Sequence, residues 1–167
     1  MKKFVLMMFV ALFSMSANLF AGIPITKVDK IRPTDEVFMD MAVAAAKKSV
    51  ANRQQPGGAV IILNGAWKAT GMPSADKTPE VDAFEKARRG DLVNASVYTI
   101  NEPTTETINF LNSLGVQAIY FCNDRDAVVA AGVYPSSAYD DAKLNQSDEM
   151  APMTLIVYPD AQALLKK

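Results

Sequence analysis

The chain has 167 residues, half of them hydrophobic, with 17 Lys plus Arg against 18 Asp plus Glu, a single Cys and no His. This near-neutral, slightly acidic balance lacks the basic footprint of nucleic-acid binding. A chain with no imidazole and one thiol cannot supply the roughly three or four His and Cys ligands of an ordinary zinc site, nor an intramolecular disulfide in an oxidising compartment.

Lys2 and Lys3 precede an apolar run from Phe4 to Phe13 and mostly small residues from Ser14 to Ala21, the three-part pattern of a secretory signal. Ser14, Ser16 and Asn18 break the run before it reaches the ~20 apolar residues of a membrane span. The pattern predicts export to the periplasm or medium, cleavage after Ala21 or alternatively after Ala17, and no stable membrane insertion of the remainder. Residues 1–21 are read as signal, 22–34 as linker and 35–167 as one domain, long enough to bury a sizeable core.

Asp35 is placed to cap a helix whose positions Phe38, Met41, Ala42, Ala45 and Ser49 recur at helical spacing. Pro56-Gly57-Gly58 breaks the chain before Ala59 to Leu63, an apolar run that reads as a buried strand. Asn64-Gly65 is a hairpin signal, so Ala66 to Gly71 is expected to return antiparallel. Trp67, just past the turn, is read as a packing residue. Thr78-Pro79 opens a second helix, with Gly90 placed to end it. Ala95 to Ile100 is the third strand, Glu102-Pro103-Thr104 starts a helix that Gly115 stops, and Val116 to Cys122 is the fourth strand. A loop and short helix, a fifth strand from Met153 to Tyr158 and a closing helix from Pro159 to Leu165 complete the chain. Cys122 at the end of its apolar run is read as a buried thiol, with a disulfide between two chains left open. The order predicts an α/β fold: a three-layer α/β/α domain with a mixed five-stranded sheet.

Three stretches together resemble the zinc deaminases of nucleosides, nucleotides and tRNA bases: Pro56 to Ile62 with Asn64-Gly65, Thr78-Pro79-Glu80-Val81-Asp82-Ala83, and Val97 to Thr107. The likeness runs from about Asp35 to Gly132 and implies the cytidine-deaminase-like fold. It also implies where the chemistry would sit. In that family a His and two Cys hold Zn²⁺, which activates water, and a Glu that is not a ligand moves the protons. Carried over by motif, Glu80 stands at the His position, Asp82 at the shuttle Glu, and Thr104 and Thr107 at the two Cys positions. The base-binding Asn expected after the second strand is replaced by Met72-Pro73. The resemblance therefore implies a deaminase fold without the zinc chemistry. A homodimer is plausible by analogy alone.

Several readings of these positions stand side by side. Acids and threonines are good helix-start residues in their own right. Glu80, Asp82, Glu102, Thr104 and Thr107 could instead line a ligand pocket reused without metal or other cofactor. A hard-cation site from Glu80, Asp82, Thr104 and Glu106 lacks ligands, and an enzyme using Glu80 and Asp82 as acid and base lacks an activated nucleophile. Asp140, Asp141, Asp148 and Glu149 read as a solvated acidic surface. The favoured reading is an exported, non-catalytic protein that binds a small molecule or a protein partner; a metal-independent hydrolase or deaminase-related enzyme using Glu80 and Asp82 is the alternative. The ligand set predicts that the purified protein carries no stoichiometric zinc after mild dialysis. Elemental analysis returning about one zinc per chain would contradict this.

Overall fold

The inner strands of the sheet alternate their side chains between two cores. The computed structural model describes residues 25–87, 92–144 and 153–158. Strand β1 (Ile25–Lys27) precedes helix α1 (Pro33–Ala51), and strands β2 (Ala59–Leu63) and β3 (Ala66–Gly71) form a hairpin. Helix α2 (Pro79–Lys86), strand β4 (Ser96–Thr99), helix α3 (Thr105–Ser113), strand β5 (Ala118–Phe121), helix α4 (Arg125–Ala130) and strand β6 (Thr154–Val157) follow. The strand order is β1-β6-β5-β4-β2-β3. Strands β4, β5, β6 and β1 pair in parallel, and β2 lies antiparallel to both β3 and β4.

The hairpin forms because Asn64 and Gly65 both adopt positive φ, 53° and 73°, the backbone that a two-residue turn with the right twist requires. Ala59, Ile61, Val97, Ile119, Phe121 and Leu155 point to one face, where Ala83 of α2 and Ile108 and Leu111 of α3 meet them. Val60, Ile62, Tyr98, Ile100, Tyr120 and Cys122 point to the other, against Met39, Ala42, Val43 and Ala46 of α1. This period of two produces the three layers.

Among the described residues the sheet has six strands where the sequence predicts five. The extra strand, β1, falls in the segment read as linker and pairs with β6 in the register Ile25↔Leu155. Its three residues are all exposed, so no alternation announces it. Trp67 is 55% exposed and donates from Nε1 to Thr70 Oγ1 at 2.9 Å; it sits on the open edge strand, not in a core. Cys122 is buried and donates to the Ile100 carbonyl at 3.1 Å. Burial pushes its thiol up to about 12, which disfavours the reactive thiolate. The signal segment, Gly90, Asp148, Glu149 and the expected closing helix from Pro159 lie outside the described residues.

Asp35 does not cap α1. The helix starts at Pro33 with Arg32 at the N-cap position, and Asp35 is 3% exposed. Its carboxylate accepts from Tyr98 Oη at 2.8 Å, Tyr158 Oη at 2.6 Å and Arg32 Nε at 2.6 Å. Tyr98, Tyr120 and Tyr158 stack across adjacent chain segments, with centroids 4.6 and 5.8 Å apart. Burial pushes the Asp35 carboxyl up, but the three donors and the Arg32 charge outweigh it and hold it below the usual carboxylate range. Its stabilising effect is therefore present at neutral pH and lost as pH falls through the native value. Asp35→Ala is expected to cost about 2–3 kcal/mol at pH 7, with the gap to wild type closing below about pH 4. Urea melts at both pH values check this, and an unchanged midpoint at pH 7 would contradict it.

Candidate functional site

Two close approaches place the site. A Cβ added at Gly71 would land on the Pro79 carbonyl and the Ala83 amide of α2, and one at Gly58 on the Ala42 carbonyl of α1. Only glycine lets both helices lie directly on the hairpin. The start of α2 is thereby fixed beside the start of α3, where Thr78 Oγ1 and Thr107 Oγ1 are 3.4 Å apart. Thr104 caps α3: its hydroxyl accepts from the Thr107 amide at 3.3 Å and donates to Thr107 Oγ1 at 3.1 Å. Thr78, read as a cap of α2, makes no side-chain cap; its hydroxyl turns to Thr107 instead.

Glu80 lies beneath this hydroxyl chain, 2% exposed. Thr99 of β4 donates to its Oε1 at 2.5 Å. Its Oε2 is the one buried side-chain oxygen among the described residues with no hydrogen-bond partner. Burial pushes the Glu80 carboxyl up, and the neighbouring hydroxyls of Thr99 and Thr78 with its own backbone N–H offset only part of that. Tyr134 sits close by, its phenol pushed up by burial and by Glu80.

The other two carboxylates of the predicted pocket go elsewhere. Asp82, two residues along α2 and so on a different side of the helix, accepts from the Met72 amide at 2.9 Å and from Lys86 Nζ at 2.6 Å. Glu102 is fully buried and held by Arg125, whose backbone N–H reaches Oε2 at 2.8 Å and whose Nε reaches Oε1 at 2.9 Å. The structure thus brings Glu80, Thr104 and Thr107 into one cluster and does not bring Asp82 or Glu102 into it, so the expected pairing of Glu80 with Asp82 is absent. Reasoning from the sequence missed Thr99 and Tyr134. Thr99 was readable as an inward position at the end of a strand; nothing local marks Tyr134.

A Cβ on Gly57 would lie 3.2 Å from Pro79 Cγ and 3.3 Å from Pro73 Cγ, so Pro73, at the position expected to hold an Asn, packs with Gly57 and Pro79 over the start of α2. One cavity lies beside Arg125 and Tyr139 and another between α1 and α4; neither of these is lined by any of the five predicted pocket residues. The donors do not suit the zinc that the resemblance implies. Threonine hydroxyls are neutral and engaged with one another, burial favours the neutral form of Glu80, and no three His, Cys, Asp or Glu side chains converge among the described residues.

Fold and site together define an α/β/α domain of the cytidine-deaminase-like type, with oxygen groups at the positions of the metal ligands. Solved structures agree on the fold. One comes from studies of A-to-I editing by tRNA:A34 deaminases, at 18% identity and a TM-score of 0.57 over 73% of this chain and 98% of that one. The diaminohydroxyphosphoribosylaminopyrimidine deaminase/5-amino-6-(5-phosphoribosylamino)uracil reductase of Thermotoga maritima is similar at 19% identity and a TM-score of 0.60, over 80% of this chain but 38% of that one. The dCMP deaminase of the cyanophage S-TIM5 is similar at 15% identity and a TM-score of 0.51, over 76% and 99%. At such identities the likeness is one of fold. No family model and no curated sequence matches the chain.

A carboxyl whose native pKa lies above its unfolded value, about 4.3, is best tolerated in the fold at low pH and costs stability as pH rises through that window. Glu80→Gln removes this penalty while keeping the shape. The variant is expected to be more stable than wild type at pH 7.5, by several degrees in Tm, and close to it at pH 4. A variant less stable than wild type at pH 7.5 would show that Glu80 is needed as an anion.

Proposed function

We propose that the chain is an exported, catalytically inactive protein of the deaminase fold that acts by binding a small molecule or a protein partner. The observation that carries this reading is the burial of Glu80: it is 2% exposed and hydrogen-bonded by Thr99, at the position where, by the resemblance, deamination needs an activated hydroxide and an open pocket for the base. The alternative, a metal-independent enzyme built on Glu80 and Asp82, loses its pair of acids because Asp82 is engaged by Met72 and Lys86. Export rests on the N-terminal pattern of Lys2 to Ala21.

Ammonia release from cytidine, adenosine and guanine by the purified protein is expected to stay at the level of the buffer blank. Asp82→Glu is expected to recover nothing, since groups that act as a unit lose catalysis together. Turnover by wild type that disappears in Glu80→Ala or Asp82→Ala would overturn the reading.

A further inference from the structure

On the face of the sheet that α1 covers, the C-terminal ends of the parallel strands β4 and β5 open into a cavity of about 390 Å³ between α1 and α4, within the ~300–1,000 Å³ range of small-molecule sites. Crevices outside the carboxyl ends of parallel strands are where α/β sheets commonly hold ligands. Ala46, Val50, Ile100, Val128 and Val133 make its walls apolar. Two polar groups stand at the strand ends. Asn101 donates to the Pro56 carbonyl at 2.9 Å and accepts from Asn123 Nδ2 at 3.0 Å. Its carboxamide is thereby oriented, while Asn123 keeps a second N–H and its own oxygen without a bond to the described protein. Lys47 of α1 also lines the cavity and makes no ion pair among the described residues, and no Asp or Glu lines it.

Apolar walls ask for a hydrocarbon body. One cation with no acid beside it asks for a single negative charge, and a carboxamide N–H complements a carboxylate oxygen. We propose that this cavity binds a small apolar monocarboxylic acid, its hydrocarbon body against Ala46, Val50, Ile100 and Val128 and its carboxylate shared between the Lys47 ammonium and the Asn123 amide. A doubly charged phosphate head is a poorer match, since only one cation lines the cavity. The inference is independent of the reading of Glu80: ammonia release would overturn that reading and leave this one standing.

The test titrates sodium octanoate, octylamine and octan-1-ol into the ¹⁵N-labelled protein, in the form that the expressing cell accumulates, and follows binding by amide chemical shifts and calorimetry. Octanoate is expected to bind saturably with a Kd of about 1 mM or tighter. Its shifts should be confined to residues 46–50, 100–101 and 123–133, with octylamine at least about tenfold weaker. Lys47→Met keeps the apolar stem and removes the charge, and should weaken octanoate by about tenfold, equivalent to about 1.4 kcal/mol. Ala127→Phe should abolish binding by filling the cavity; Val50→Trp, at a site already 54% exposed, serves should that variant fail to fold. Absence of saturable octanoate binding, equal binding of octylamine or octan-1-ol, shifts centred elsewhere, or full affinity in Lys47→Met would each overturn the proposal.

Discussion

The rest of the site follows from the contact between β3 and α2 at Gly71, where no Cβ fits. Because the helix lies directly on the strand, Ala83, Pro79 and Glu80 are all buried against the sheet. The same logic at Gly58 seats α1 on the opposite face. Two missing methyl groups thus set the thickness of both layers, and the helix starts become places where backbone and side-chain polar groups meet without much water. Which chemistry appears there depends on the residues supplied, and this chain supplies hydroxyls and a carboxyl.

Four acids illustrate how differently burial is resolved. Asp35 is buried with three donors and remains ionised. Glu102 is buried against Arg125, whose guanidinium holds Oε1 and whose backbone N–H donates to Oε2. Asp82 stays partly in water and binds a backbone amide and a lysine. Glu80 alone is buried among neutral hydroxyls with a bare oxygen, and it alone has no opposing cation, so burial favours its neutral form. The acid with the weakest compensation stands at the position where the resemblance puts a metal ligand.

Much of this was legible because local signals agree with the tertiary structure. The hairpin from Ala59 to Gly71 follows from Asn64-Gly65 and an apolar run, and α3 from Thr104 and Gly115. Signals failed where the decisive partner is distant in sequence. Asp35 has the residue type of a cap, but Tyr98 and Tyr158, 63 and 123 positions away, recruit it into the core, and Arg32 takes the cap position. Glu80 and Asp82 sit two apart, close enough in sequence to look like a pair, yet helical geometry turns them to different neighbours. β1 was invisible because three exposed residues carry no periodicity; only its partner β6 gives it meaning.

The hydroxyl chain also explains how such a position can do without metal ligands. An imidazole and two thiols brought together leave lone pairs or protons that ask for a cation; threonines can answer one another. Here the Thr107 amide is satisfied by Thr104 Oγ1, Thr104 donates to Thr107 Oγ1, and Thr78 completes the row. The row ends in a helix cap, an interaction stabilising by itself at about 1 kcal/mol. Satisfaction of buried polar groups is therefore local and nearly complete, with Glu80 Oε2 as the remainder. Since burial favours the neutral form of this carboxyl and a neutral carboxyl needs no counter-ion, hydrogen bonds and packing suffice to hold the position.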